Sequence, residues 1–397
     1  MKNSYFFLLI LSLLLSMVAL AQPGTLDSTF AENGKFMLSE HFNYETTQDI
    51  ALTEEGKILV MVNSLYLVRL LEDGSWDTTF GNQGVLKVLE EDAGKSIAID
   101  DSNRTLILAF NSFYGIHSMN LYRFLQDGTP DNSFGENGET NVGVPNADNS
   151  LIIQSDGKIV IAGSDGNQSF VHRIKDNGSS DHSFSGNGIV LLNDLPKSFA
   201  LSIVQQPDGK LIITGTSDSD LFVIRLLEDG TTDSSFGSNG ITLIDDGGDE
   251  AGQDVAVMPD GKIAITGYSQ TSAGSSFLCW RLLTDGTIDN SFGSNGEVNL
   301  FTGQQISSGY FIFPYADSSI IVGGVIYNGA TDDPVLYKIL YNGSIDSTYG
   351  ENGAAGKTFT CSKSIEINAV KTPDNNILIC GTKADNGDNI PAISKFT

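Results

Sequence analysis

Hydrophobic and polar positions alternate in short runs along almost the whole chain, and the runs come in groups of four. Between Gly240 and Asp289 the order is ITLID, QDVAVMPDG, KIAITG and SFLCWRLLTDG. Each run is short, rich in Ile, Val and Leu, and ends at Gly, Asp, Asn or Pro, the pattern of a β-strand closed by a turn. The Asp-Gly and Asn-Gly pairs supply the positive φ that tight turns need. No 3.6-residue periodicity of useful length occurs. The pattern predicts an all-β chain with four short strands per group.

The groups are copies of one unit. An eight-residue motif recurs as DSTFAENG at Asp27, DTTFGNQG at Asp77, DNSFGENG at Asp131, DHSFSGNG at Asp181, DSSFGSNG at Asp233, DNSFGSNG at Asp289 and DSTYGENG at Asp346. The intervals are 50, 54, 50, 52, 56 and 57 residues. A unit of that length with four strands, repeated seven times, matches a seven-bladed β-propeller. A β-helix or open solenoid has shorter rungs and needs distinct caps, which the sequence lacks. The copies fill residues 22–397 and leave no room for another domain.

The order of elements predicts how the ring closes. With QDVAV-type runs as the innermost strand A, KIAITG-type runs as B and FLCWRLL-type runs as C, the run after each motif is D. The repeating region starts with a motif and a D-type run, Lys35 to Ser39, and ends with a C-type run, Ala392 to Phe396. The N-terminal strand is therefore expected to complete the last blade and cover its edge.

A base stands eight residues before each motif Asp. The pairs are Arg69–Asp77, Arg123–Asp131, Arg173–Asp181, Arg225–Asp233, Arg281–Asp289 and Lys338–Asp346, with Lys395 matched to Asp27 across the closure. A ring of cationic ligand contacts is one reading. The other is a strand-C base that pins the C–D loop by a charge-assisted bond, and its presence in all seven copies favours this one. The aromatic three residues past each Asp is read as core.

The string DGTTDSSFGSNG and its sisters, with PDGKI-type hairpins between them, resemble the delta-60 repeat family of exported bacterial proteins, a β-propeller domain of unknown function. The resemblance covers nearly all of residues 22–397. It implies fold and export and no activity. Departures are Ala31 and Ser185 for Gly, Asn177 in the preceding turn, and Tyr349 for Phe.

The first residues are read as a signal peptide. Lys2 precedes an apolar run from Tyr5 to Val18, and Ala19-Leu20-Ala21 is a small-x-small cleavage pattern, so the mature chain is expected to start at Gln22. The run is short for a bilayer span, and no second one follows, so no membrane span is expected after cleavage. The expected location is periplasmic, cell-surface or extracellular.

The chain carries 49 acids against 22 bases, a formal charge of −27. Such a surface excludes nucleic acid and anionic membranes as partners and suits cations or basic surfaces. The three cysteines, Cys279, Cys361 and Cys380, lie in apolar runs, with a Cys361–Cys380 bridge left open.

Catalytic signatures are missing. The four histidines, His41, His117, His172 and His182, share no register, and no GxSxG elbow, P-loop or GxGxxG unit is present. No EF-hand pattern supports calcium, although the short Asp spacings leave it open. No cofactor is expected.

In the predicted strand order, A–B turns and C–D motifs share one uniform face. The D–A and B–C connections share the other, and they differ from copy to copy, which is where a specific site can be built. The candidate ligand face is Tyr114, Asp218, Asp220, Asp245, Asp246, Asp249, Tyr268, Tyr327, Asp332 and Asp333. The favoured function is a secreted, non-enzymatic module that binds a protein or a glycan through this acidic face. The alternatives are an extracellular carboxylate-based glycan hydrolase or lyase, and a purely structural surface protein.

Overall fold

The alternating runs form 28 strands in seven antiparallel sheets of four in a computed structural model. It describes residues 22–38, 46–62, 66–88, 92–111, 118–142, 150–303, 307–327, 332–356, 367–385 and 388–397, and no helix occurs among them. The expected signal peptide, Tyr114, His41, His117 and Cys361 lie outside these residues. Blade 5 shows the plan: A is Asp249–Val257, B is Ile263–Thr271, C is Gly274–Leu282 and D is Glu297–Gly303.

The A strands make the inner ring. Those of blades 1 to 7 begin at Thr47, Asp92, Ser150, Ser198, Asp249, Ser307 and Asn368, and each packs against the next, with the seventh against the first. Blade 7 is composite: its A, B and C strands come from the C-terminus (Asn368–Lys371, Ile377–Asp385, Asp388–Phe396), and D is Lys35–Met37. Phe36 pairs with Ile393 in that seam. Further bonds extend the closure: Thr397 N–H donates to Thr25 O at 2.9 Å, and Gly350 N–H donates to Pro23 O at 2.9 Å.

The apolar core lies between blades. Seven clusters of buried side chains each span two neighbouring sheets, and each contains one motif aromatic: Phe80, Phe134, Phe184, Phe236, Phe292, Tyr349 or Phe30. Burying such a ring is worth roughly 1.5–3 kcal/mol.

The motif fastens each blade to the next. In blade 4, Asp233 Oδ1 accepts the Ser235 N–H and hydroxyl at 3.1 and 2.6 Å, and Oδ2 accepts Arg225 Nε at 2.9 Å. The second arm of Arg225 donates to Thr284 O of blade 5 at 2.7 Å, and the guanidinium lies 4.6 Å from the Phe236 centroid. Arg123, Arg173 and Arg281 likewise reach Asp176 O, Glu228 O and Tyr341 O of the following blade. The base therefore does more than pin its own loop. The motif residue at the Gly position also bonds across the interface, as in Gly237 N–H to Asp285 O at 2.7 Å. Ala31 and Ser185 hold this position at φ 42° and 52°, the same left-handed region as Gly237 at 51°. Gly286 of the facing turn, at φ +86°, sits so close that a Cβ there would lie 2.8 Å from Phe236.

A second base, on the A–B hairpin, approaches the same Asp in blades 1 to 5: Lys57, Arg104, Lys158, Lys210 and Lys262, at 2.9–4.0 Å. Blades 6 and 7 carry Ser319 and Asn376 at that hairpin position. Their strand-C base is lysine, at 3.7 Å from Asp346 and 3.4 Å from Asp27.

Deleting residues 22–40 should lower Tm by at least about 5 °C, since several kcal/mol of burial are lost at about 1–2 °C each in a chain of this size. An unchanged melting curve would refute the composite blade. Asp233→Ala should cost about 3–5 kcal/mol in urea unfolding, because it strands the buried Arg225 charge. Asp346→Ala should cost clearly less, its lysine being closer to solvent; equal losses would contradict this account of the clasp.

Candidate functional site

Among the described residues, the candidate acids and tyrosines lie on B–C hairpins, at strand ends and on the crossover between blades 4 and 5. Several stretches expected as loops are strand. Residues 268–276 continue the B and C strands of blade 5 with a turn between Thr271 and Gly274, because the alternation of the two strands persists to their tips. In blade 4 the chain reverses at Asp218 and Ser219, with φ of 51° and 82°. Asp220 opens strand C opposite Ser217. The D strand then ends at Ile244, and residues 245–248 cross to Asp249, the exposed first residue of strand A in blade 5.

This crossover gathers acids. Glu250 N–H donates to Ser219 O at 2.7 Å, which stitches blade 5 to the blade 4 hairpin. Its side chain is only 1% exposed. Glu250 Oε1 accepts the Ser269 hydroxyl at 2.7 Å and Gly248 N–H at 3.0 Å, while Oε2 has no hydrogen-bond partner. One carboxylate oxygen from each of Asp220, Asp245 and Glu250 lies within 4.8 Å of the other two. Asp245 also accepts Gly247 N–H at 2.9 Å, and Asp246 accepts Trp280 Nε1–H at 3.3 Å. Trp280 pairs across strands with Glu297.

The electrostatics reflect crowding. Burial, then the charges of Asp245 and Asp218, raises Asp220 above the usual carboxylate range. Burial raises Glu250, with Asp246 adding to it. Glu297 is pushed up to about 7 by burial and then by Asp246. Asp218 has an exposed ion pair with Lys197 at 2.8 Å.

The other candidates are placed as follows. Tyr268 is half-buried on strand B of blade 5 opposite Ala251, its hydroxyl raised by burial and then by Asp249. Tyr327, also half-buried, ends strand B of blade 6 opposite Asp332, and Asp333 faces Ile326. Asp218, Asp220, Asp245, Asp246 and Asp249 thus belong to the blade 4–5 junction, and Tyr327, Asp332 and Asp333 to blade 6. Glu250 and Glu297 were not singled out from the sequence, because Glu250 sat inside a stretch taken as solvated loop. Its signal is the apolar Ala251 after it, which continues the strand alternation.

Two more acids escaped sequence reasoning. Asp49 and Asp254 sit at bulges in the A strands of blades 1 and 5. Asp49 Oδ2 accepts Ile97 N–H of blade 2 at 2.9 Å. Asp254 takes the Ser202 hydroxyl of blade 4 at 2.7 Å and Ile312 N–H of blade 6 at 2.9 Å. The residues keep some exposure, but the carboxylates are enclosed by these donors, and burial pushes both up to about 6. The shared strings QDIA and QDVA were the available signal.

The opposite face is neutralised. Its cleft of about 590 Å³ between blades 1 and 2 is lined by Lys57, Arg69 and Arg104 among others. Those bases are paired with Asp77, Asp100 and Asp176. The motif Asp oxygens are likewise occupied by hydroxyl, backbone and basic donors. His172 is buried on strand C of blade 3, its Nε2 3.0 Å from the Ser180 hydroxyl, and burial lowers its pKa. His182 is exposed. Cys279 and Cys380 are buried free thiols, and burial pushes Cys380 up to about 12. No helix among the described residues is long and apolar enough to cross a membrane.

The raised and lowered carboxylates act in opposite directions. Asp49 and Asp254 have folded values above the ordinary 3.8, so they favour the native state increasingly as pH falls from above 6 towards 4. Asp77 and Asp233 are held at about 2, chiefly by hydrogen bonds from the residue two positions on and by their bases, against the opposing effect of burial. Their contribution is complete above the unfolded value and is lost as pH falls through 2. Thermal melts should therefore peak near about pH 4–5. A steady decline from pH 7 to 4 would contradict this balance.

A family model described as "Domain of unknown function (DUF5122) beta-propeller" matches residues 56–80, 154–184, 206–236 and 259–292. Those segments run from an A–B turn to a motif aromatic in blades 1, 3, 4 and 5. No curated protein matches the chain. Solved structures with similar folds include Drosophila Semaphorin 1b, extracellular domains 1-2, at 9% identity and TM-score 0.48, covering 94% of this chain and 88% of that one. The Vanderwaltozyma polyspora Nup133 β-propeller domain is 13% identical at TM-score 0.47, covering 91% and 100%. The C-terminal WD40 domain of Sif2 is 12% identical at TM-score 0.46, covering 90% and 83%.

Proposed function

We propose that this β-propeller is an exported interaction module that binds a partner through the D–A and B–C face. The observation that carries this reading is the contrast between faces. On the motif face, acids are matched by bases within the repeat. At the blade 4–5 junction, Asp220, Asp245 and Glu250 converge beside Asp246, and burial, then neighbouring carboxylates, raises Asp220 and Glu250. An unneutralised acidic patch attracts a partner that presents cationic or hydrogen-bond-donating groups, such as a basic protein surface or a glycan. Export is supported by the apolar run and the Ala19-Leu20-Ala21 pattern, and the repeat strings support kinship with the delta-60 repeat proteins.

The carboxylates give little support to glycoside hydrolysis. Asp246 and Glu297 are close enough to share a hydrogen bond. A retaining pair stands about 5–5.5 Å apart and an inverting pair further.

The test is an array of basic proteins and glycans probed with mature protein starting at Gln22, beside Asp245→Asn/Asp246→Asn/Asp249→Asn. Binding to a probe at about 150 mM salt that falls at least about tenfold in the triple variant is expected. Binding that persists unchanged would remove this face from consideration.

A further inference from the structure

The three carboxylates of the blade 4–5 junction come from three separate segments. Asp220 opens strand C of blade 4, Asp245 begins the crossover, and Glu250 is the second residue of strand A in blade 5. Their oxygens nevertheless converge to within 4.8 Å. Crowded acids alone are common on surfaces. Glu250 is different, because it is almost wholly buried and only one of its oxygens is satisfied. Ser269 and Gly248 fix Oε1 and so fix the direction of the carboxylate, while Oε2 is left without a donor. A buried carboxylate oxygen without a partner costs several kcal/mol unless something positive meets it. Lys197 of the preceding crossover pairs with Asp218.

We propose that Asp220, Asp245 and Glu250 form a binding site for a hard divalent cation, calcium. The donor set is all oxygen and carries three negative charges, which suits a hard ion. Oxygens bound to one calcium at about 2.3–2.6 Å stand at most about 5 Å apart, whereas magnesium at about 2.0–2.1 Å holds its ligands closer and demands an octahedron. Three carboxylates from three segments, with water completing the shell, suit calcium's larger and more flexible oxygen coordination better than magnesium's strict octahedron. The ion would meet the Glu250 carboxylate and relieve the repulsion among the three acids. It would also tie the blade 4 hairpin to the first strand of blade 5, beside the existing bond from Glu250 N–H to Ser219 O. This site differs in kind from calcium bound at every repeat, since the motif Asp oxygens already have donors. It draws on the same acids as the partner-binding reading, but its readout is calcium affinity rather than partner capture, so the failure of one is distinguishable from the failure of the other.

The test is calorimetric titration of CaCl₂ into EDTA-treated protein spanning residues 22–397, in about 150 mM KCl to screen diffuse attraction. Thermal melts with and without calcium accompany it. One saturable site and a calcium-dependent rise in Tm are expected. Glu250→Gln and Asp245→Asn should each weaken binding at least about tenfold. Asp156→Asn, which removes an exposed acid on the opposite face, should leave it unchanged. Asp245 is exposed, so its variant keeps the test decisive if Glu250→Gln misfolds. The absence of saturable calcium binding would overturn the proposal, as would equal weakening by Asp245→Asn and Asp156→Asn. Equal binding of magnesium would overturn the calcium assignment.

Discussion

The propeller depends on one side chain doing three things at once. Each motif arginine donates Nε–H to its own Asp, donates a second N–H to a carbonyl of the next blade, and lays its planar face on the motif Phe. Lysine has a point charge on a flexible stem and cannot match that geometry. The Asp is set in turn by the Ser or Thr two residues on, and the Phe is set by the turn glycine of the neighbour. A single local string therefore fixes a loop, fills an interface and sets the relation of two sheets. This is why a chain of individually marginal four-stranded sheets holds as a ring.

Most of this was legible in the sequence. Seven spaced motifs and the strand alternation fixed the blade count, and the mismatch between a leading D-type run and a trailing C-type run fixed the closure. What escaped was anything that depended on a neighbouring blade. Arg225 and Asp233 are eight residues apart and visible as a pair, but Thr284 and Lys210 meet them only in three dimensions. The inner bulges hid Asp49 and Asp254, since a bulge breaks the two-residue alternation used to sort inside from outside. Glu250 was hidden for a related reason. Two glycines before it read as loop, yet they only allow the chain to cross before the strand begins. Five of the expected face acids lie at one junction, and the buried Glu250 stands beside Asp220 and Asp245.

The two faces thus solve opposite electrostatic problems. On the motif face the repeat supplies its own counter-charges, and carboxylates there sit low in pKa. On the other face the connections differ between copies, and at the blade 4–5 junction Asp220 and Glu250 are raised, first by burial and then by neighbouring carboxylates. A chain with 49 acids and 22 bases must leave many acids unmatched somewhere. Here a dense group of them is placed where the repeats diverge.

The composite seventh blade also imposes an order of events. The contact between Thr25 and Thr397 spans 372 positions, so it can form only when the last residues of the chain are free to fold. The entropy of closing so large a loop is not the obstacle, because each doubling of length adds only about 0.6 kcal/mol. The obstacle is register: six blades must already stand at the right pitch before the two ends can meet. The clasp is weakest there, with Lys338 and Lys395 in place of arginine and no hairpin base at Ser319 or Asn376. The closure thus rests on the meeting of two distant stretches of chain and on a thinner clasp than the arginine-bearing junctions have.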